Sequence, residues 1–163
     1  MWYHASDTGA SREHSAVKAS RMSANRIELE VEARVENLAA IDDFVADAMK
    51  QLGTEAQSFQ VQLAVNEACA NIIQYAYSGG CDQPIHISCS TMGNDLVIRI
   101  RDKGKPFEPD SVPVPDTKSG LFERELGGLG ILLMRRMMHE VKYVFHAGEY
   151  NELIMTRHLP QED

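Results

Sequence analysis

The chain has 163 residues, and a length of this order suits a single domain. Hydrophobic residues make up 44% and charged residues 25%, which excludes a disordered chain and predicts one packed core. The formal net charge of −8 argues against direct nucleic-acid binding, because such binding uses basic surface to neutralise phosphates. No run approaches the roughly 18 apolar residues of a membrane span, and the N-terminus lacks the apolar core of a signal peptide. We therefore expect a cytoplasmic protein without membrane contact.

The three cysteines, Cys69, Cys81 and Cys89, are an odd number and contain no CxxC pair. They fall in a predicted helix, a loop and a strand. This pattern indicates neither a zinc site nor a disulfide framework.

The N-terminal part predicts an extension, a strand and a helix. Residues 1–24 mix Ser, Ala, His and charge without a period, so we expect a flexible extension. Residues 26–33 alternate as I-E-L-E-V-E, which predicts a half-buried strand with Ile27, Leu29 and Val31 facing inward. Asn37 is then the predicted N-cap of an amphipathic helix that ends at Gly53.

The middle of the chain predicts a long helix and a hairpin. Apolar residues at helical spacing predict a helix over residues 55–77, which the cluster Ser78-Gly79-Gly80 ends. Two alternating runs, 85–91 and 96–101, flank a Gly-Asn turn and predict an antiparallel hairpin.

The C-terminal part predicts a long loop, a third helix and a second hairpin. Residues 103–126 are rich in Pro and Gly and lack a period, and such loops are often lids or binding loops. A helix is predicted over 129–138 and strands over 140–145 and 153–157. These elements predict an α+β two-layer sandwich, in which a mixed, mainly antiparallel sheet is covered on one face by three helices.

Polar residues on the second predicted helix form a stripe beside its apolar stripe. Glu67 and Asn71 lie one turn apart and project to the same side. A carboxylate there can accept a proton from a hydroxyl, and an amide oxygen can coordinate Mg²⁺. The alternative is an ordinary solvated face.

The run RDKGKPF places Asp102 at the end of a strand, followed by Gly104. A carboxylate here can accept hydrogen bonds from an exocyclic amine such as that of adenine, and a glycine lets a ring approach the backbone. An ordinary turn with a charged tip is the alternative.

A glycine cluster, LGGLGI, stands at the third predicted helix. Glycines at a helix start expose N–H groups and admit phosphates close to the backbone. The cluster lacks the GxxxxGK[ST] pattern of a P-loop and is weak support when taken alone.

Together and in this order, VNEACANIIQYAY, RDKGKPF and LGGLGILLMRRMMHEVKY resemble the N, G1 and G2 boxes of the GHKL (histidine-kinase-like, Bergerat-fold) ATPases. The single-domain length, the wording D-x-G-x-P-F and the closing NELIMTRHL resemble the anti-sigma-factor serine/threonine-protein kinases most. The resemblance covers residues 26–159, and it implies an ATPase domain over residues 25–160.

The resemblance implies a role for each matching residue. Glu67 would be the general base and Asn71 would hold Mg²⁺ on the ATP phosphates. Asp102 would bind the adenine amine above Gly104. Four further residues would contact the phosphates, and these are Gly128, Leu129, Gly130 and Arg124. The loop over residues 106–127 would be the ATP lid, whereas Lys103, Lys105 and Lys118 are interpreted as solvated charges.

The implied function is ATP-dependent phosphorylation of a serine on a STAS-type anti-anti-sigma partner, together with sequestration of a sigma factor. The alternative is a catalytically silent, nucleotide-gated binding protein that switches partners. A detached histidine-kinase ATPase domain is disfavoured, because no helical hairpin with an acceptor His precedes the domain. Relatives form homodimers, and Ile27 and Leu29 suit either a dimer interface or the core.

Overall fold

The structure is a computed structural model that describes residues 17–23, 25–106, 108 and 126–161. Within these residues it contains six strands and three α-helices. The strands are β1 (Val17–Ser23), β2 (Arg26–Glu32), β3 (Pro84–Met92), β4 (Asp95–Asp102), β5 (Glu140–His146) and β6 (Tyr150–His158). The helices are α1 (Leu38–Gln51), α2 (Ser58–Asn71) and α3 (Leu126–Met137).

The strands form one sheet in the order β1-β2-β3-β4-β6-β5. The predicted α+β sandwich is confirmed, and every pairing among the described strands is antiparallel. The expected mixed character is therefore absent from this part of the chain. Both predicted hairpins are present, with turns at Gly93 and Gly148 that have positive φ angles of 58° and 77°.

The predicted extension is partly a strand. Residues 17–23 form β1, which pairs with β2 at the edge of the sheet, so this part of the interpretation of residues 1–24 is wrong. In β2 the alternation is confirmed, because Ile27, Leu29 and Val31 are buried in the core. Because these three side chains are buried beneath the helices of the same chain, they belong to its hydrophobic core.

The first two helices follow the predicted apolar periods. Asn37 occupies the predicted N-cap of α1, but its amide donates to the backbone oxygen of Glu32 (2.8 Å) and caps nothing. A 3₁₀ turn (Glu55–Gln57) precedes α2 and a π-helical turn (Ile72–Ala76) follows it, which together match the predicted extent of the second helix.

Helix α3 begins earlier than predicted. It starts at Leu126 instead of residue 129, so the glycine cluster forms its first turn. Its buried side chains Ile131 and Met134 pack on the core, as does Met138 just after the helix.

The core lies between the helices and one face of the sheet and is almost wholly apolar. Cys69 and Cys89 are buried in it, and all three cysteines are free. Burial raises the pKa of the Cys89 thiol to about 12, so it remains protonated. Among the described helices, none has the length and apolar character needed to cross a membrane.

Candidate functional site

Helices α2 and α3 meet at the predicted polar stripe. Glu67 and Asn71 are half-buried on the side of α2 that faces Gly130. A Cβ added at Gly130 would lie 2.8 Å from Glu67 Oε2 and 3.3 Å from Asn71 Nδ2. A larger residue at 130 would therefore force the Glu67 carboxylate, the far end of a flexible side chain, to move. The structure thus brings together three of the predicted site residues from two separate motifs.

The first turn of α3 carries the glycine cluster. The first four N–H groups of an α-helix have no partner within the helix, and here they fall at or next to Gly128 and Leu129. Gly130 is buried one step further along. This helix start can bind an anion, because unpaired N–H groups and the helix dipole both favour negative charge.

The π-helical turn after α2 is tied to the loop that follows β4. The Lys105 N–H donates to the Ala76 carbonyl (2.9 Å), and the Lys103 N–H donates to the Tyr77 hydroxyl (2.7 Å). A Cβ at Gly104 would lie 2.6 Å from the same Ala76 oxygen. The need for glycine at 104 is thus explained by backbone contact within the protein, in addition to any ligand.

Asp102 ends β4 and is 7% exposed. Its Oδ1 accepts hydrogen bonds from the Gly104 N–H (2.8 Å) and from Asn151 Nδ2 (3.0 Å). Burial raises the pKa of this carboxyl, and the two hydrogen bonds act in the opposite direction. Among the described residues, none donates to Oδ2. That oxygen can accept a hydrogen bond from a ligand.

One pocket contains both Asn71 and Asp102 in its lining. It lies between α2, α3 and the ends of β4, β5 and β6, and its volume is about 40 Å³, close to that of one water molecule. A purine must therefore displace lining side chains to enter. The lining residues are Ala68, Asn71, Ile72, Ala76, Asp102, Lys105, Met134, Tyr143, Phe145, Asn151, Glu152 and Leu153.

A larger cavity of about 370 Å³ opens on the other face of the sheet. Its polar lining is mostly charged side chains of β2 and β4 that pair with one another or with neighbouring strands, such as Arg26 with Glu28 (2.6 Å). Asp102 and Lys103 also line this cavity, but Asn71 does not. Size alone therefore does not identify the candidate site.

The predicted residues differ in how the structure places them. Asn71 and Asp102 line the pocket, and Glu67 and Gly130 lie against Asn71. Arg124 and most of the predicted lid lie outside the described residues. Lys105 was interpreted as a solvated charge; it is exposed, yet it also lines the pocket.

Of the lining residues, sequence reasoning assigned only Asn71 and Asp102 to the site, and those it missed include Asn151, Met134 and Phe145. Asn151 stands beside Asp102 because β4 and β6 pair in register, and Phe145 pairs with Asn151 on its other side. The sequence gives no distinct signal for Asn151, because β6 also carries Glu152, Thr156 and Arg157.

The donor set fits Mg²⁺ bound together with a nucleotide. Mg²⁺ prefers oxygen ligands and usually keeps several waters, so it needs few protein ligands when phosphates supply the rest. The amide oxygen of Asn71 and the carboxylate of Glu67 both face Gly130, next to the start of α3. Asn71 would hold the ion and the α3 N-terminus would lie beside its phosphates.

The chain is similar to one family model and to several known proteins. A family model described as the histidine kinase-like ATPase domain matches residues 31–157. The serine/threonine-protein kinase BtrW of Bordetella bronchiseptica is 30% identical over 104 residues, which cover 64% of this chain and 72% of the relative. The serine-protein kinase RsbW of Bacillus subtilis is 29% identical over 144 residues, covering 85% and 89% of the two chains. RsbW of Bacillus pumilus is 27% identical over 143 residues, covering 83% and 87%.

Proposed function

Because this chain belongs to the histidine kinase-like ATPase family, and within it to the anti-sigma-factor serine-protein kinases, we propose that it is an ATP-dependent serine-protein kinase. It phosphorylates a serine on a STAS-type anti-anti-sigma partner and, as an anti-sigma factor, sequesters a sigma factor. The ATPase domain extends over residues 25–160, and the protein acts in the cytoplasm through protein partners.

The observation that carries this proposal is the meeting of three motifs at one pocket. Glu67 and Asn71 of α2 face Gly130 of α3, and Asn71 lines the same pocket as Asp102 and Met134 of α3. If the polar stripe of α2 had only a structural role, Glu67 and Asn71 would not need to lie against the glycine-rich start of α3. The arrangement supports a nucleotide whose base lies at Asp102 and whose phosphates lie at α3.

The proposed roles follow from the chemistry of each group. Glu67 accepts the proton of the attacking serine hydroxyl, and Asn71 supplies an oxygen ligand to Mg²⁺. The N–H groups at and next to Gly128 and Leu129 donate to phosphate oxygens, whereas the N–H of Gly130, the fifth residue of α3, falls within the helix. Bound Mg²⁺ neutralises charge on the phosphates, and phosphoryl transfer depends mainly on such positioning and charge neutralisation.

Recognition of the base is assigned to Asp102. Its Oδ2 is available to accept a hydrogen bond from the exocyclic amine of adenine, and the buried position strengthens that bond. Guanine presents a carbonyl oxygen at the same place and would face the carboxylate unfavourably. Arg124, which belongs to the same proposal, would reach the γ-phosphate from the lid.

The first test is calorimetric titration of the purified protein with ATP and Mg²⁺, beside an Asp102→Asn variant. We expect the parent to bind and the variant to lose about tenfold or more in affinity, because its amide places an NH₂ group where a carboxylate oxygen accepted. The Asp95→Asn variant, at the exposed start of the same strand, is the matched control and should bind like the parent. If the folded parent protein did not bind ATP, the proposed kinase function would be refuted.

A further inference from the structure

Among the described residues, Asn151 is the one side chain that joins the proposed base-binding carboxylate to the loop that follows it. Its Nδ2 donates to Asp102 Oδ1 (3.0 Å) and to the Gly104 backbone oxygen (2.9 Å). The side-chain amide has two N–H donors, and these two bonds use both of them. The opposite orientation of the amide would set its oxygen against two acceptors, so the hydrogen bonds fix one orientation.

The backbone holds Asn151 at this position. Asp102 and Asn151 are partners in the antiparallel ladder of β4 and β6, and Phe145 of β5 is the partner of Asn151 on the other side. All three residues line the pocket. The amide therefore stands on a rigid element between a buried carboxylate and an aromatic side chain that is 43% exposed.

We propose that Asn151 determines nucleotide specificity by fixing Asp102 so that only Oδ2 remains to accept a hydrogen bond from the base. This inference rests on the proposed function and assigns it a positioning residue. With Oδ1 already bonded to Gly104 and Asn151, rotation of the carboxylate would break two hydrogen bonds. The site thus presents one acceptor in one direction.

A fixed acceptor selects a base that carries a donor at this point. Adenine has an exocyclic amine there, whereas hypoxanthine and guanine have a carbonyl oxygen, which repels a carboxylate. A carboxylate free to rotate could turn away from that oxygen or recruit water, and it would discriminate less. Loss of Asn151 should therefore weaken selection more than it weakens nucleotide binding in general.

The experiment is titration of the full chain with ATP and with inosine triphosphate, in the presence of Mg²⁺. In the parent we expect ATP to bind tighter than inosine triphosphate. In Asn151→Leu, which keeps the size and removes both donors, we expect the ratio of the two affinities to fall about tenfold. Inosine triphosphate affinity should change little, because its carbonyl gains nothing from a fixed carboxylate.

The controls separate positioning from loss of structure. Thr156→Val, on the same strand but on the other face of the sheet, should keep the parent ratio. Thermal unfolding shows whether Asn151→Leu is folded, and Asn151→Ala takes its place in the same titration if it is not. Equal weakening for both nucleotides would overturn the inference and leave the proposed function intact. A folded parent that binds neither nucleotide would overturn both.

Discussion

The two ends of the pocket are built in different ways. At the adenine end, defined by Asp102, Gly104 and Asn151, each residue is hydrogen-bonded to another and the register of β4 and β6 fixes them. At the phosphate end, Asn71 lines the pocket and Glu67 and Gly130 lie against Asn71, and within the described residues the packing of α2 on α3 sets this geometry. Among the described residues, Glu67 and Asn71 have no side-chain hydrogen-bond partner.

This difference indicates that the adenine end determines specificity and that the phosphate end serves phosphate binding and catalysis. The adenine end is organised before a nucleotide arrives, which favours specificity because little ordering is needed on binding. Within the part of the chain that the structure describes, the side chains of Glu67 and Asn71 at the phosphate end are unpaired, so they can bind Mg²⁺ and the attacking hydroxyl. Catalytic hydrogen bonds commonly tighten only when substrate is bound.

The largest expected effect separates chemistry from binding at the phosphate end. Glu67→Gln should lower phosphate transfer from ATP to a purified STAS-domain protein by about 100- to 10,000-fold, since general-base catalysis contributes that much. ATP affinity should stay within a few-fold of the parent, because the amide has nearly the same shape. Radiolabel transfer and calorimetry give the two quantities.

Glu55→Gln, in the exposed turn before α2, is the control and should keep full activity. Transfer at the parental rate by Glu67→Gln would remove Glu67 from the role of base. If partner switching also continued in full without any transfer, the nucleotide-gated binding protein would be the better description.

A pair of glycine substitutions compares the rigidity of the two ends. In Gly104→Ala the new Cβ would meet the Ala76 oxygen at 2.6 Å, and backbone cannot move aside cheaply. We expect a loss of about 2 to 3 kcal/mol in the free energy of unfolding, the upper range for overpacking, and weaker ATP binding. Urea unfolding and calorimetry measure both.

In Gly130→Ala the contact is with Glu67 Oε2 at 2.8 Å, the far end of a side chain that can rotate. Alanine also favours helix by about 1 kcal/mol, which offsets part of the strain. We expect the free energy of unfolding to change by less than about 1 kcal/mol while phosphate transfer falls. Equal losses of stability in the two variants would mean that the phosphate end is as rigid as the adenine end.

The sequence predicted the parts of the fold whose residues repeat with a period. The alternation of Ile27, Leu29 and Val31 and the helical spacing of α2 both reflect a face buried against one core. The same spacing placed Glu67 and Asn71 on one side of α2. Their proximity to Gly130 was predicted only through the family resemblance, because it depends on how α3 packs.

The features that the sequence missed depend on neighbours in space. Residues 17–23 lack a clear alternation, and pairing with the edge of β2 makes them a strand. The early start of α3 passes through glycines that disfavour helix when considered singly. Asn151 gains its role solely from the register that sets it opposite Asp102.

The smallest expected effect tests what the adenine end costs in stability. Burial raises the folded-state pKa of Asp102 above the ordinary 3.8, so the ionised carboxyl opposes folding at neutral pH. Asp102→Asn should therefore raise the free energy of unfolding at about pH 7, and this gain should shrink as pH falls through the folded pKa of Asp102. Urea unfolding of parent and variant at several pH values measures the difference.

The pKa of Glu152, whose side chain pairs with arginines on the other face of the sheet, is shifted in the opposite direction to that of Asp102. Burial alone would raise its pKa, but Arg101 at 2.9 Å and Arg99 at 3.4 Å lower it overall. Glu152→Gln should cost about 1 to 2 kcal/mol at neutral pH, and that cost should disappear as pH falls through the lowered folded pKa. If Asp102→Asn lost stability at neutral pH as Glu152→Gln is expected to, the Asp102 carboxylate would stabilise the fold. The adenine end would then gain its specificity without a loss of folding stability.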